Sequence, residues 1–210
     1  MDLGSRRSQR QRSARPSKGE IREKQILDVT ERLLRTTPFV DITIDEIARQ
    51  AGLSRSTMYF YFASKEDLLA ALLVRTHDEM IRPMTLLLNA GAAVDLAVHQ
   101  VLEAILGNWR EHGPALRTFL ETALVSPEFG DRWRAMMSEN IDVAAQFVER
   151  GRAAGHLPDG PPSARAVSSA VIWMIEHEMY ELFRSRHTRT AEAELVETLT
   201  LIWNRAIGTP

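Results

Sequence analysis

Residues 41–65, DITIDEIARQAGLSRSTMYFYFASK, constrain this chain more than any other stretch. Thr43 can cap a first helix, and Asp45 and Glu46 stand in its positively polarised first turn. Ile44, Ile47, Ala48 and Ala51 recur at helical spacing and give that helix one apolar face. Gly52 follows at once, where a helix needs a residue that tolerates positive φ in order to stop. Leu53 can plug the corner, and Ser54 can cap a second, short helix. In that helix Met58 and Phe62 are four apart and can pack inward, which leaves Arg55, Ser56, Thr57, Tyr59, Phe60 and Tyr61 to project elsewhere. A helix that offers Arg, hydroxyls and aromatic rings from one end suits a DNA major groove.

An ordinary pair of amphipathic helices would need the same glycine corner. The quartet Tyr59-Phe60-Tyr61-Phe62 argues against it, because successive helical residues point about 100° apart and cannot all face one core. The charge distribution points the same way. Residues 1–65 hold 13 Lys+Arg and 8 Asp+Glu, so +5; residues 66–210 hold 13 and 20, so −7. A basic end joined to an acidic body suits a protein that meets nucleic acid with one end only.

Residues 1–18 carry Arg6, Arg7, Arg10, Arg12, Arg15 and Lys18 and almost nothing apolar. Such a segment is expected to be disordered when free; it suits either a solvated tail or a DNA-binding arm, and its place beside the reading helices favours the arm. Residues 19–65 read as a three-helix DNA-binding domain, opened by an amphipathic helix over 20–35 with Ile21, Ile26, Leu27, Val29, Leu33 and Leu34 as its apolar residues. Ser64 caps a further helix running toward Arg82, where Pro83 is expected to interfere. The body, residues 66–210, reads as helical throughout. Its remaining helices are expected over 94–111, closed by Gly113-Pro114, then 114–125, 126 to about 151, 163–183 and 190–207. Nine helices and no strand make an all-α chain: a three-helix helix-turn-helix domain followed by a six-helix bundle.

The segment from Ile42 to Leu68 resembles the DNA-binding domain of the tetracycline-repressor (TetR) family. It shares Ile42-Thr43, Ile47-Ala48, Ala51-Gly52-Leu53-Ser54, Thr57-Met58-Tyr59-Phe60-Tyr61-Phe62 and Ser64-Lys65-Glu66-Asp67-Leu68. Within the family, the Arg-rich N-terminus ending in Ala-Arg-Pro-Ser and the aromatic quartet are similar to the ethionamide-activation repressors. The resemblance implies a ligand-responsive repressor that releases a palindromic double-stranded operator. It also implies that Tyr59, Tyr61 and Lys65 hold the DNA backbone while Arg55, Ser56, Thr57 and Phe60 face bases, with the caps Thr43 and Ser54 completing the DNA-contacting set. It implies further a homodimer through the last two helices, where Val167, Ala170, Val171, Met174, Ile175, Leu195, Leu199, Ile202, Trp203 and Ala206 form apolar stripes. Palindromic DNA and a short reading helix lead to the same expectation of a two-fold dimer.

The body holds all four tryptophans with many Met and Phe, residues that suit either a plain core or an apolar pocket. The family binds small effectors between the middle helices, which makes Trp109, Phe119, Trp133, Met137 and Trp173 candidate lining for a mostly apolar effector. Glu176 lies at helical spacing with Trp173, Tyr180 and Phe183. A carboxylate there should be partnered, by Tyr180 or an Arg; a structural ion pair is the commoner role, the polar anchor of an effector site the rarer one.

Other classes find no support. Cysteine is absent, which removes disulfides, thiolate catalysis and Cys-based metal sites. The His residues follow no ligand spacing, so neither metal nor cofactor is expected. No nucleophile elbow, dinucleotide fingerprint or phosphate-binding loop occurs, so no enzyme is expected. No apolar run approaches the ~20 residues of a membrane span, and no apolar segment follows the basic N-terminus, so the chain is expected in the cytoplasm.

Overall fold

The computed structural model describes residues 17–90 and 93–208, with backbone only at residue 95. It holds eight α-helices and one 3₁₀ turn, and no strand among the described residues. The first is α1 (Lys18–Leu34), opened by a capping box in which Glu20 N–H donates to the Ser17 hydroxyl and Ser17 N–H donates to the Glu20 carboxylate. The basic arm expected over residues 1–18 lies outside the described residues up to residue 16; Ser17 and Lys18 belong to this helix start. The 3₁₀ turn Phe39–Asp41 leads to α2 (Ile44–Ala51) and α3 (Arg55–Tyr61).

The body differs from expectation at two prolines. Helix α4 (Lys65–Asn89) runs straight through Pro83, and α5 (Val94–Val125) runs through Pro114. Eight helices therefore stand where nine were expected. Each proline removes one backbone donor, a local cost that burial on both sides outweighs. Beyond Pro83, Met84 and Leu88 are buried; around Pro114, Trp109, Ala115, Leu116 and Phe119 continue one buried face. Next come α6 (Pro127–Ala153), α7 (Ala164–Phe183) and α8 (Arg189–Ile207), capped by the Ser126, Ser163 and Thr188 hydroxyls.

Helix α5 is the axis of the body, touching α1, α4, α6, α7 and α8. Helix α4 starts beside the reading helices with Leu68 and Leu69 fully buried and ends in the body with Met84 and Leu88 buried. One continuous helix thus joins the two ends. Among the described residues no helix is long and apolar enough to cross a membrane.

Candidate nucleic-acid interface and effector cavity

The corner between α2 and α3 has the expected local chemistry. Thr43 Oγ1 accepts from Glu46 N–H, and Ser54 Oγ accepts from Thr57 N–H. Gly52 ends α2 at φ 65°, a left-handed backbone that costs a residue with a Cβ about 1–2 kcal/mol. Met58 and Phe62 are buried below α3, and Gln25 of α1 braces the pair by donating to the Ala51 carbonyl.

The outer face of α3 carries Arg55, Ser56, Tyr59 and Phe60, all exposed, with Phe60 82% exposed. Phe60 packs edge-on against Tyr61, which is half-buried against the core. Thr57 is half-buried, and its hydroxyl lies 2.8 Å from that of Ser54, which also lies 2.9 Å from the Ser56 hydroxyl. Arg55 is already engaged: it donates to Asp45 at 2.6 Å and its guanidinium lies over the Tyr59 ring. Lys65 is engaged as well. Its ammonium donates to the carbonyls of Phe39 and Val40 at 3.2 Å each and lies 4.8 Å from the centre of the Phe39 ring. An ammonium has three donors, so one is left over.

Two cavities of the body adjoin at Trp133 and Glu176. The outer one, about 500 Å³, is bounded by Leu120, Ala123 and Leu124 of α5, Trp133 of α6, and Trp173 and Tyr180 of α7. Helices α5 and α6 approach closely along this lining: a Cβ on Gly130 would come within 2.9 Å of the Ala123 carbonyl oxygen. The inner cavity, about 30 Å³, lies among His77 and Met80 of α4, Asn108 and Trp109 of α5, and Met137 and Asn140 of α6. Trp133 and Glu176 line both.

Trp109, Trp133, Met137, Trp173 and Glu176 thus converge on these two spaces. Phe119 does not. It is fully buried, its ring 6.3 Å from that of Phe129 of α6, and it lines neither cavity, because it is packed into the core against α6. The ion pair expected for Glu176 is also absent. Its Oε1 is shut off from solvent and accepts no hydrogen bond, and burial pushes the carboxyl up to about 7. Tyr180 shares the outer cavity without bonding to Oε1, and the one Arg there, Arg134, donates instead to Asp131 at 2.5 Å. Sequence spacing gave no sign of Leu120, Ala123 or Leu124 as lining, since only the packing of α5 against α6 and α7 selects that side.

A third assembly was not legible in the sequence. It joins the reading end to the body. His112 of α5 is hydrogen-bonded to Glu31 of α1 and lies 3.2 Å from Glu79 of α4, while Arg75 of α4 pairs with both Glu31 and Asp28 at 2.6 Å. Glu31 and His112 are 81 residues apart, so no local pattern pairs them. Among the described residues no cluster of His, Asp and Glu is arranged to hold a metal ion.

Comparison with known proteins follows this geometry. Residues 26–72 match the family described as bacterial regulatory proteins, tetR family, and residues 98–209 match the C-terminal domain of the transcriptional regulator EthR. The chain is 33% identical over 207 residues to the HTH-type transcriptional regulator EthR of Mycolicibacterium smegmatis, covering 93% of this chain and 90% of that protein. It is 31% identical over 198 residues to the regulator of the same name in Mycobacterium tuberculosis, covering 93% and 91%. Its fold is similar to that of Salmonella enterica GusR, with a TM-score of 0.75 over 91% of this chain and 97% of that one, at 12% identity. With both ends matched, the chain belongs to the TetR family of bacterial regulatory proteins, and is a DNA-binding transcriptional regulator with an EthR-type C-terminal domain rather than an enzyme.

Proposed function

We propose that this regulator is a homodimeric repressor that holds a near-palindromic operator through α3 and lets go when a small, mostly apolar molecule enters the body. The observation that carries the reading is the pairing of an outward-facing α3, with Arg55, Ser56, Tyr59 and Phe60 exposed, with a body cavity that α4 reaches. Arg55, Ser56, Thr57 and Phe60 face bases; Thr43, Ser54, Tyr59, Tyr61 and the remaining donor of Lys65 hold phosphates. The basic arm over residues 1–18 adds sequence-independent phosphate contacts.

Dimerisation uses α7 and α8. Their apolar residues divide between two faces. Val167, Val171, Ile175, Leu199 and Trp203 are buried in the protomer, whereas Ala170, Trp173, Leu201, Ile202 and Ala206 are exposed. An apolar strip on two neighbouring helices is the face a second copy covers. Leu73, Thr76, His77 and Met80 of α4 line the inner cavity, which adjoins the outer one at Trp133 and Glu176, so an effector that fills the outer cavity and pushes past these two side chains presses on the helix that carries the reading head. Two heads must fall about 34 Å apart, or a multiple of it, and a few ångströms of error defeat simultaneous docking.

Selection of binding sites from random double-stranded DNA, followed by footprinting, tests the reading. The expected product is a two-fold symmetric site protected by an even number of chains. Enrichment of no sequence would overturn it.

A further inference from the structure

We propose that the outer cavity takes an amphipathic amine, with its ammonium head against Glu176 and its apolar tail along Leu120, Ala123, Leu124 and Trp133. The proposal rests on the effector-cavity reading above and names the chemistry of the ligand.

An apolar ligand alone needs no carboxylate. At position 176 a Leu or Met would line both cavities at no electrostatic cost, yet a Glu stands there whose carboxylate has no hydrogen-bond partner in the fold: Oε1 is sealed, and the half-buried remainder of the group, Oε2 with it, is what a cavity occupant can meet. Leaving a carboxylate so placed is expensive unless a donor arrives from outside the chain. No charge within the fold supplies it. On α5, Glu121 is exposed and of like sign; on α6, Arg134 is turned to Asp131; on α4, His77 is bonded to the Asn140 amide oxygen at 2.9 Å; on α7 itself, His177 is exposed and Tyr180 lies beside the cavity without bonding to Oε1.

The cavity walls fit the same ligand. Trp133, Trp173 and Tyr180 offer ring faces around the carboxylate, and aromatic faces attract an ammonium that has shed water. A neutral alcohol can bond to the carboxyl in either protonation state and so draws no proton from a group that burial has raised to about 7. An ammonium instead favours the ionised form. Binding of an amine at pH 6 should therefore expel a proton from Glu176, whereas binding of an alcohol should not.

Calorimetric titration of the full chain with decylamine, decanol and decanoate, each below its micellar concentration, tests this. Decylammonium is expected to bind at least tenfold more tightly than decanol at pH 7.5, with decanoate weakest. At pH 6, buffers of different ionisation enthalpy should report proton release with decylamine only. In Glu176→Gln the tenfold preference should vanish while decanol affinity stays within about twofold, which shows that the cavity is intact. Equal binding of amine and alcohol, or a preference that survives in Glu176→Gln, overturns the ammonium site but leaves an effector cavity. Failure of all three to bind, with operator affinity unaltered in their presence, overturns the effector cavity as well.

Discussion

Arg55 shows how one residue can be poised and yet not free. Its pair with Asp45 and its position over Tyr59 hold the guanidinium near the outer face of α3. Both partners are exposed, so the pair is weak and a guanine edge can displace it. Arg55→Ala is expected to relax preference at one operator position by about 1–3 kcal/mol while leaving affinity for random DNA nearly unchanged. Competition binding with single-base operator variants measures this, and a uniform loss across all sequences would make Arg55 a phosphate contact. Glu176 carries a prediction about stability. Its carboxyl is lifted from 4.5 to about 7, so the folded state holds a proton that the unfolded state releases, and stability falls as pH rises from 4.5 through 7. Glu176→Gln should leave the melting temperature unchanged near pH 4.5 and raise it above pH 7. The gain should approach about 2–3 kcal/mol, read from denaturant midpoints at several pH values.

At the scale of elements, the joint between α1, α4 and α5 links the reading end to the body. Burial alone would lower the His112 pKa, but Glu31, Glu111 and Glu79 together raise it above 6.5. Burial alone would raise Glu31, but the bond from His112 and the charges of His112, Arg75 and Arg35 lower it below 4.5. The stabilisation from His112 is complete below pH 6.5 and is lost as pH rises through its folded value; that from Glu31 is present above pH 4.5 and is lost as pH falls through its own. The joint is therefore tightest between these limits. His112→Gln should lower the melting temperature at pH 6 and change it little at pH 9, so the fall of stability with rising pH becomes shallower. A pH profile parallel to that of the parent would mean that the imidazole carries no charge in the folded protein. Glu176 acts in the same direction in the parent, and only the two variants side by side separate them.

For the whole molecule the surface that a second copy would cover is the apolar strip on α7 and α8. Trp173 is 40% exposed, Leu201 50% and Ile202 40%, on helices whose other faces are already packed. A charge placed there by Ile202→Asp should yield a monomer with unchanged helix content. Operator affinity should then fall by about a hundredfold, because two tethered heads act at high effective concentration and two separate ones do not. Sedimentation equilibrium with circular dichroism checks both halves. A variant that stays dimeric would place the interface elsewhere.

What the sequence determined by itself was local. Thr43, Gly52 and Ser54 act through their own backbone neighbours, so caps and corner could be read residue by residue and the reading helices followed. The aromatic quartet announced exposure for the same reason, since helical geometry alone forbids four consecutive inward rings. Pro83 and Pro114 suggest helix ends in the sequence because a proline's cost is local, whereas the burial that outweighs it comes from other helices. The same holds for the site in the body. Apolar residues at helical spacing fit a core and a cavity equally well, and Phe119 went to the one while Trp133 and Met137 went to the other. Only tertiary packing decides which face of α5 meets α6 and α7, whether Glu176 finds a partner, and that Glu31 meets His112. Those outcomes depend on contacts between segments far apart in the chain, and no short-range pattern encodes them.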